Sequence, residues 1–327
     1  MDTFKSFNGD LYPLNDHAFE EIALRLFRHQ AAYNGVYRQY LTYMGVSPDK
    51  VQSLTSIPFL PITLFKSREV VTGQWTPDVT FVSSGTTGDQ VSKHHIPSLP
   101  AYLNHCQRIF ETRFGSLTDF HVFCLLPTYL ERTGSSLVAM ASHFIKQSKS
   151  PESGFYLNDL EGLITQLENL KGGRKVLLLG VSFALLDLAE QFEVDLRHCM
   201  IMETGGMKGK RPEITRMELH EILSKNLNVE TVFSEYGMTE LQSQVYSSGE
   251  GLFQCPASIR ILLKEVSDPF ELEKRSAGVI NVIDLANNHT CAFVETQDLG
   301  RLHHDGHFEV LGRVDNSDVR GCNLMVN

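Results

Sequence analysis

The chain is short of cysteine, with six in 327 residues: Cys106, Cys124, Cys199, Cys255, Cys291 and Cys322. The nearest two stand 18 positions apart, so no C-x-x-C pair exists for a metal or for redox exchange. Scattered cysteines in a chain of this length, with no apolar leader in the opening MDTFKSFNGD, read as free thiols of a cytoplasmic protein. No apolar run reaches the roughly 18 residues of a membrane-spanning helix. Positive charge is in deficit too, with 29 Lys plus Arg against 39 Asp plus Glu and a net charge of −10. That balance argues against nucleic acid or an anionic membrane as the main partner. Repeats, low-complexity tracts and long linkers are lacking as well.

What remains is ordinary globular material. Hydrophobic residues make up 42% and charged residues 21%, which excludes a disordered chain or a coiled coil. At 327 residues the chain can form one large domain or two linked ones, with a core that needs no disulfide or metal staple.

Phe19, Ile22, Ala23, Leu26 and Phe27 repeat at the spacing of one buried helix face. Further on, short apolar runs alternate with amphipathic stretches. Val79 to Val82, His121 to Leu126, Lys175 to Val181 and Cys199 to Met202 read as strands, and 158–170 and 212–223 as helices between them. Such alternation predicts an α/β fold with a largely parallel, covered sheet. From about residue 229 the pattern becomes β-rich, with strands expected at 230–234, 278–285 and 307–311 and a barrel-like arrangement as one option.

The most informative stretch is Phe81-Val82-Ser83-Ser84-Gly85-Thr86-Thr87-Gly88. A strand runs into small, mostly hydroxylated residues, whose backbone N–H groups can cradle an anion. Lys93 follows five residues later and can add positive charge. The loop is not a Walker P-loop, because G-x-x-x-x-G-K-[ST] is absent. By itself it reads first as an ordinary flexible turn. Two more segments follow in order. One is Ser234-Glu235-Tyr236-Gly237-Met238-Thr239-Glu240. The other is Asp298-Leu299-Gly300 with Gly312-Arg313-Val314-Asp315 after it.

Taken in this order, these segments resemble the adenylate-forming superfamily of acyl-CoA synthetases, peptide-synthetase adenylation domains and luciferases. The phosphate loop, Y-G-x-T-E, D-L-G and G-R-x-D are all matched, and Gly205-Gly206 fits the glycine pair that precedes Y-G-x-T-E. Within it the chain is most similar to the acyl-protein synthetase group of LuxE type and its phenylacetate–CoA ligase-like relatives. That narrower likeness rests on the 57–61 segment IPFLP, the 126–132 segment LPTYLER and the 319–324 segment VRGCNL.

The resemblance implies the N-terminal-domain fold of these enzymes, with mixed and parallel sheets flanked by helices and a β-rich C-terminal portion. It implies ATP and Mg²⁺. Ser83, Ser84, Gly85, Thr86, Thr87 and Gly88 would hold pyrophosphate, with Gly205 and Gly206 beside the nucleotide. Tyr236, followed by Gly237, would stack on adenine. Thr239 would contact phosphate, Glu240 would bind Mg²⁺, Asp298 would accept from the ribose hydroxyls and Arg313 would reach the ribose or phosphate side. Each has a plain alternative: Tyr236 a core aromatic, Glu240 a helix cap, Asp298 a turn residue, Arg313 a partner of a surface carboxylate.

Full-length members carry a mobile C-terminal domain with a lysine used in adenylation. Here Asp315 is followed by NSDVRGCNLMVN, so that domain is expected to be absent. This divides the chain into an activating domain over 1–315 and a tail over 316–327. Lys93, Lys208, Lys210, Arg132 or a partner chain are candidates for the missing charge. The resemblance makes Cys322 the acyl carrier, as a thioester. Seven residues beyond Asp315, it can sweep roughly 23–25 Å at the reach of an extended chain, and Arg320 stands near to lower its pKa.

The expected activity is therefore activation of a carboxylic acid, with a fatty acid first in line. The acyl group would pass to Cys322 and then to an acceptor, for which the family suggests an acyl-protein reductase or an acyl carrier. Direct transfer to coenzyme A and a non-catalytic nucleotide-binding subunit are the alternatives. The run Arg301-Leu302-His303-His304-Asp305-Gly306-His307 tempts a zinc reading. Asp305-Gly306 between alternating flanks reads better as a hairpin turn.

Overall fold

The computed structural model describes residues 15–83, 90–127, 134–157, 159–170, 172–207, 210–264 and 277–314. Helix α1 (Asp16–Tyr33) begins where the Asn15 side chain accepts the Ala18 N–H at 2.8 Å, and it buries Phe19, Ala23, Leu26 and Phe27 as their spacing predicts. Next come α2 (Gly35–Tyr43), the short β1 (Leu60–Pro61) and α3 (Leu64–Ser67). Strands β2 (Val79–Val82) and β3 (Lys93–Ile96) form a separate antiparallel pair in which Val82 faces Lys93. The polar sequence KHHI hides β3 from pattern reading, although His94 and Ile96 are its buried positions.

The middle of the chain is helix and strand in alternation: α4 (Leu99–Phe114), β4 (Phe120–Leu125), α5 (Ser136–Ser148), β5 (Gly154–Tyr156), α6 (Leu160–Asn169), β6 (Lys175–Val181), α7 (Ser182–Gln191), β7 (Cys199–Thr204), α8 (Arg216–Leu227) and β8 (Val232–Tyr236). Strands β5, β4, β6, β7 and β8 lie side by side and parallel. Nearly every side chain of β6 is buried, as a strand covered on both faces requires. Helix α8 starts later than 212 because Thr215 and Glu218 form a capping box there.

The β-rich portion continues the same sheet. It comprises β9 (Val245–Ser247), β10 (Phe253–Gln254), β11 (Ile259–Lys264), β12 (Ala277–Asp284), β13 (Phe293–Leu302) and β14 (Phe308–Arg313). The strand order is β11-β12-β13-β14-β10-β9-β8-β7-β6-β4-β5, with β1 pairing β13. Antiparallel pairing begins at β8–β9, and this path does not close into a barrel among the described residues.

Two hydrophobic cores result. One surrounds the parallel strands and holds Phe110, Phe120, Phe123 and Phe144. The other lies between the N-terminal helices and the antiparallel strands. There Phe293 meets Phe27 edge-on at 5.9 Å and stacks on Tyr37 at 6.1 Å. The first helices thus pack against strands more than 250 residues away in sequence.

Candidate active site

In open α/β sheets, ligands bind beyond the carboxyl ends of the parallel strands. Strands β7 and β8 end side by side, with Thr204 opposite Glu235. The Thr204 hydroxyl donates to the buried Glu235 carboxylate. Gly205 follows with φ +75°, a left-handed conformation that suits glycine, and carries the chain off the sheet. Beside it, Gly237 leaves room for Glu235: a Cβ at 237 would lie 2.5 Å from Glu235 Oε1. Gly205, Gly206, Tyr236 and Gly237 thus sit around one pair of strand ends.

The serine- and glycine-rich loop leaves the hairpin β2–β3. Its neck is closed by hydrogen bonds from Ser83 N to Ser92 O at 3.0 Å and from Ser92 N to Ser83 Oγ at 2.9 Å. The Ser83 hydroxyl is therefore part of the neck. Ser84, Gly85, Thr86, Thr87 and Gly88 lie outside the described residues, as do Arg132, Lys208, Asp315 and Cys322. Lys93 is exposed at the start of β3, and Lys210 is exposed with its N–H bonded to Met207 O at 2.9 Å.

Ser92 lies near enough to Glu240 to influence its carboxyl, which brings the neck to the end of the Y-G-x-T-E segment. Glu240 is buried, and burial raises its carboxyl pKa, while Ser92, its own backbone, Arg313 and Lys66 act in the opposite direction. No ion pair to Glu240 occurs among the described residues. A desolvated carboxyl without a cation of its own fits Mg²⁺, which takes one or two protein carboxylates and fills its other positions with water and phosphate oxygens.

The backbone around Glu240 is held from several sides. Thr239 O faces His94 Nδ1 at 2.7 Å, and Glu240 O accepts Asn287 Nδ2 at 2.8 Å. Asp284 Oδ2 accepts the N–H groups of Gln242 and Ser243, each at 2.9 Å. The Ser243 hydroxyl donates to Asp284 Oδ1 at 2.7 Å. Gln242 Nε2 is a buried donor with no hydrogen-bond partner among the described residues.

The Tyr236 hydroxyl donates to Asp298 Oδ2 at 2.8 Å and Arg313 Nε to Asp298 Oδ1 at 3.3 Å. Asp298 and Arg313 are register partners on β13 and β14. Burial, then the Asp298 charge, raises the Tyr236 phenol well above its usual range, so it stays a donor. Tyr236 is also a core aromatic, 5.8 Å from Phe253 and 6.0 Å from Phe308. Gly300 permits a close strand approach: a Cβ there would lie 2.9 Å from Glu309 O. The hairpin after it turns at Asp305-Gly306, with His303 N donating to His307 O at 2.8 Å. Its histidines pair locally, His303 with Glu309 and His307 with Asp305.

Pattern reading missed His94, Asn287, Asp284 and Gln242. It also missed the buried pair of Glu203 with Arg216, whose Nη1 reaches Val310 O on β14 at 2.9 Å. The polar run after Asp284 (LANNHT), between two apolar strands, was the one local sign of this buried network.

No protein-family model matches the chain, and no curated protein does. Solved structures do. An open conformation of 2-hydroxyisobutyryl-CoA ligase in complex with 2-HIB-AMP and CoA matches with a TM-score of 0.68 and 14% identity, over 92% of this chain and 75% of that one. ATP-bound MatB from Rhodopseudomonas palustris matches with a TM-score of 0.53 and 16% identity, over 73% of this chain and 49% of that one. An ATP-bound RpMatB–BxBclM chimera matches with a TM-score of 0.55 and 16% identity, again over 73% and 49%. The match thus spans about half the length of the latter two. The chain has the fold of these ligases, and at such identities the likeness speaks to fold alone.

Proposed function

We propose that the chain is an ATP-dependent acyl-activating enzyme that converts a carboxylic acid to its acyl adenylate. One convergence carries the reading. Glu240 meets Ser92 at the neck of the serine- and glycine-rich loop, within the electrostatic reach of Arg313, which is bonded to Asp298 and through it to Tyr236. These groups come from segments spread over residues 83–313, and they meet beside the carboxyl ends of β7 and β8. The fold shared with a ligase that holds an acyl-AMP supports the same reading.

A carboxylate is a poor electrophile because it is anionic and resonance-stabilised. In the proposed step one of its oxygens attacks the α-phosphorus of ATP. The P–O bond to the β-phosphate breaks and pyrophosphate leaves. The step gathers several negative charges, so positioned donors and cations dominate catalysis. The 83–88 loop and Thr239 would supply donors to the phosphates, Arg313 and Lys93 positive charge, and Asp298 an acceptor for ribose hydroxyls. Mg²⁺, when bound at Glu240, supplies charge neutralisation for the phosphates.

In the second proposed step the Cys322 thiolate attacks the acyl carbonyl carbon. The bond from that carbon to the phosphate oxygen breaks, AMP leaves, and a thioester forms for delivery to an acceptor protein. Under this reading residues 1–315 form the activating domain and 316–327 the carrier tail, with a fatty acid as the first substrate to test. A second reading, transfer of the acyl group directly to coenzyme A, is favoured by the likeness over 92% of this chain to a CoA ligase.

The test is acid-dependent exchange of labelled pyrophosphate into ATP, with Mg²⁺ and a panel of fatty, short-chain and aromatic acids. Exchange with one class is expected and names the substrate. Absence of exchange with every acid, alone and with candidate partner proteins, would overturn adenylation.

A further inference from the structure

Four fully buried polar side chains, His94, Asn287, Thr290 and Gln30, lie behind the Thr239–Glu240 backbone. Apolar residues would fill this space without any need for hydrogen-bond partners, so the polar set requires an explanation in geometry. Thr239 O can only accept, so the His94 nitrogen facing it at 2.7 Å, Nδ1, carries the hydrogen. In the neutral ring Nε2 then accepts. Nε2 lies 2.9 Å from Asn287 Oδ1 and 3.0 Å from Thr290 Oγ1, whose one hydrogen serves Nε2. Asn287 cannot turn over, because its Nδ2 donates to Glu240 O at 2.8 Å and to Cys291 O at 2.9 Å. Gln30 Nε2 holds Asn287 O at 3.0 Å from helix α1.

His94 therefore holds one carbonyl, Thr239 O, and Asn287 the next, Glu240 O, while the two side chains meet at 2.9 Å with Thr290 beside them. His94 sits on β3 opposite Phe81, so its bond to Thr239 O ties that backbone to the β2–β3 hairpin. We infer that His94 is a positioning residue that, with Asn287, clamps the Thr239–Glu240 backbone to the β2–β3 hairpin, so that the Thr239 hydroxyl and Glu240 carboxylate are fixed in place for the phosphates and Mg²⁺ of bound ATP. The inference rests on the nucleotide reading above.

The test is calorimetric titration of the full chain with ATP, in Mg²⁺ and in EDTA, for wild type, His94→Asn and His94→Gln. Asparagine can place an amide N–H where Nδ1 stands, whereas glutamine places one at Nε2 and loses the bond to Thr239 O. The Mg²⁺-dependent gain in ATP affinity is expected to fall about tenfold in His94→Gln and to stay within about threefold in His94→Asn, the worth of one buried hydrogen bond. Both variants are expected to melt at similar temperatures. Equal affinities in the two variants would overturn the clamp and leave the nucleotide reading standing. A wild type that binds no ATP in either arm would overturn that reading and the clamp with it. If neither His94 variant folds, Thr290→Val decides. It removes the hydroxyl that donates to His94 Nε2 at nearly constant shape, and an unchanged Mg²⁺-dependent affinity in it sinks the clamp.

Discussion

The Tyr236 hydroxyl donates to Asp298 Oδ2 at 2.8 Å, joining the end of β8 to β13 across 62 residues of sequence. Both residues are 8% exposed, and Arg313 completes the set at Asp298 Oδ1. Tyr236→Phe keeps the ring and removes the donor, leaving a buried carboxylate oxygen short of a partner. A loss of about 1–3 kcal/mol in urea unfolding is expected. Under the proposed function the KM for ATP in pyrophosphate exchange is expected to rise, because Asp298, the proposed acceptor for ribose hydroxyls, loses a bond that fixes it. A variant with unaltered stability would show that the hydroxyl is solvated in solution.

Arg216 ties the parallel half of the sheet to β14. Its Nε meets the nearly inaccessible Glu203 carboxylate at 3.0 Å, its Nη1 meets Val310 O, and its guanidinium lies over the Phe253 ring at 5.1 Å. Arg216→Ala takes the guanidinium from the buried Glu203, leaving it His220 at 3.8 Å, and is expected to cost about 3 kcal/mol. The Glu203→Gln/Arg216→Met pair removes both charges and should recover most of that loss. Equal stability of the single and double variants would mean that the charge pair is not what holds this site.

Acid should weaken the fold from near neutrality. Burial lowers the pKa of His94 to about 4 and that of the partly buried His105, which faces Ser243 Oγ at 2.7 Å, to about 4 as well. An unfolded histidine titrates near 6.5, so between about 6.5 and 4 the unfolded chain binds protons that the folded chain refuses. Stability is full above that window and falls as pH drops through it, by up to about 1.4 kcal/mol per pH unit for each histidine. Glu203 acts lower. Burial raises its pKa, but His220, Arg216 and Ser234 outweigh that and bring it to about 2. Its contribution is therefore lost only below the ordinary carboxylate range. Urea unfolding at pH 7.5, 6 and 5 should show the histidine limb, and His105→Gln should make it shallower. A flat profile above pH 5 would contradict the assignment.

These side chains show what was legible in the sequence. Strand β6 is read to the residue because KVLLLGV is apolar from end to end, as a strand covered on both faces must be. Helix α1 follows from its 3.6-residue period. Helix α8 starts after Pro212, at the capping box that Thr215 and Glu218 form. At the site, Tyr236, Glu240, Asp298 and Arg313 stand in short motifs and were named in advance. His94 and Asn287 were not, because they meet across 193 residues and neither has a local pattern. Periodicity reports which face of an element is buried. It cannot report which two polar residues will meet inside.

Gln242 offers a test in which stability and activity move in opposite directions. Its Nε2 is buried without a partner among the described residues, two positions past Glu240. An unsatisfied buried donor costs about 1–3 kcal/mol. Gln242→Leu removes that liability at similar size, so the melting temperature is expected to rise. Acid-dependent exchange is expected to fall if this donor, two positions past Glu240, serves a bound carboxylate or phosphate. A variant that is more stable and equally active would make Gln242 a plain packing fault.

The thiols allow the carrier step to be tested without knowing the acceptor. Burial raises the pKa of Cys106, Cys199, Cys255 and Cys291 to about 12, and raises that of Cys124 still further. At neutral pH almost none of these five is thiolate, the form that attacks an acyl adenylate. The sixth cysteine, Cys322, lies outside the described residues, and under the proposed function the thioester is expected there. Incubation with ATP, Mg²⁺ and the labelled acid that supports exchange should give a hydroxylamine-labile acyl-protein. Cys322→Ser should abolish that label and leave pyrophosphate exchange intact, because adenylation precedes the thiol step. Label that persists in Cys322→Ser would place the acyl group elsewhere. Exchange without label in the wild type would favour direct transfer to coenzyme A.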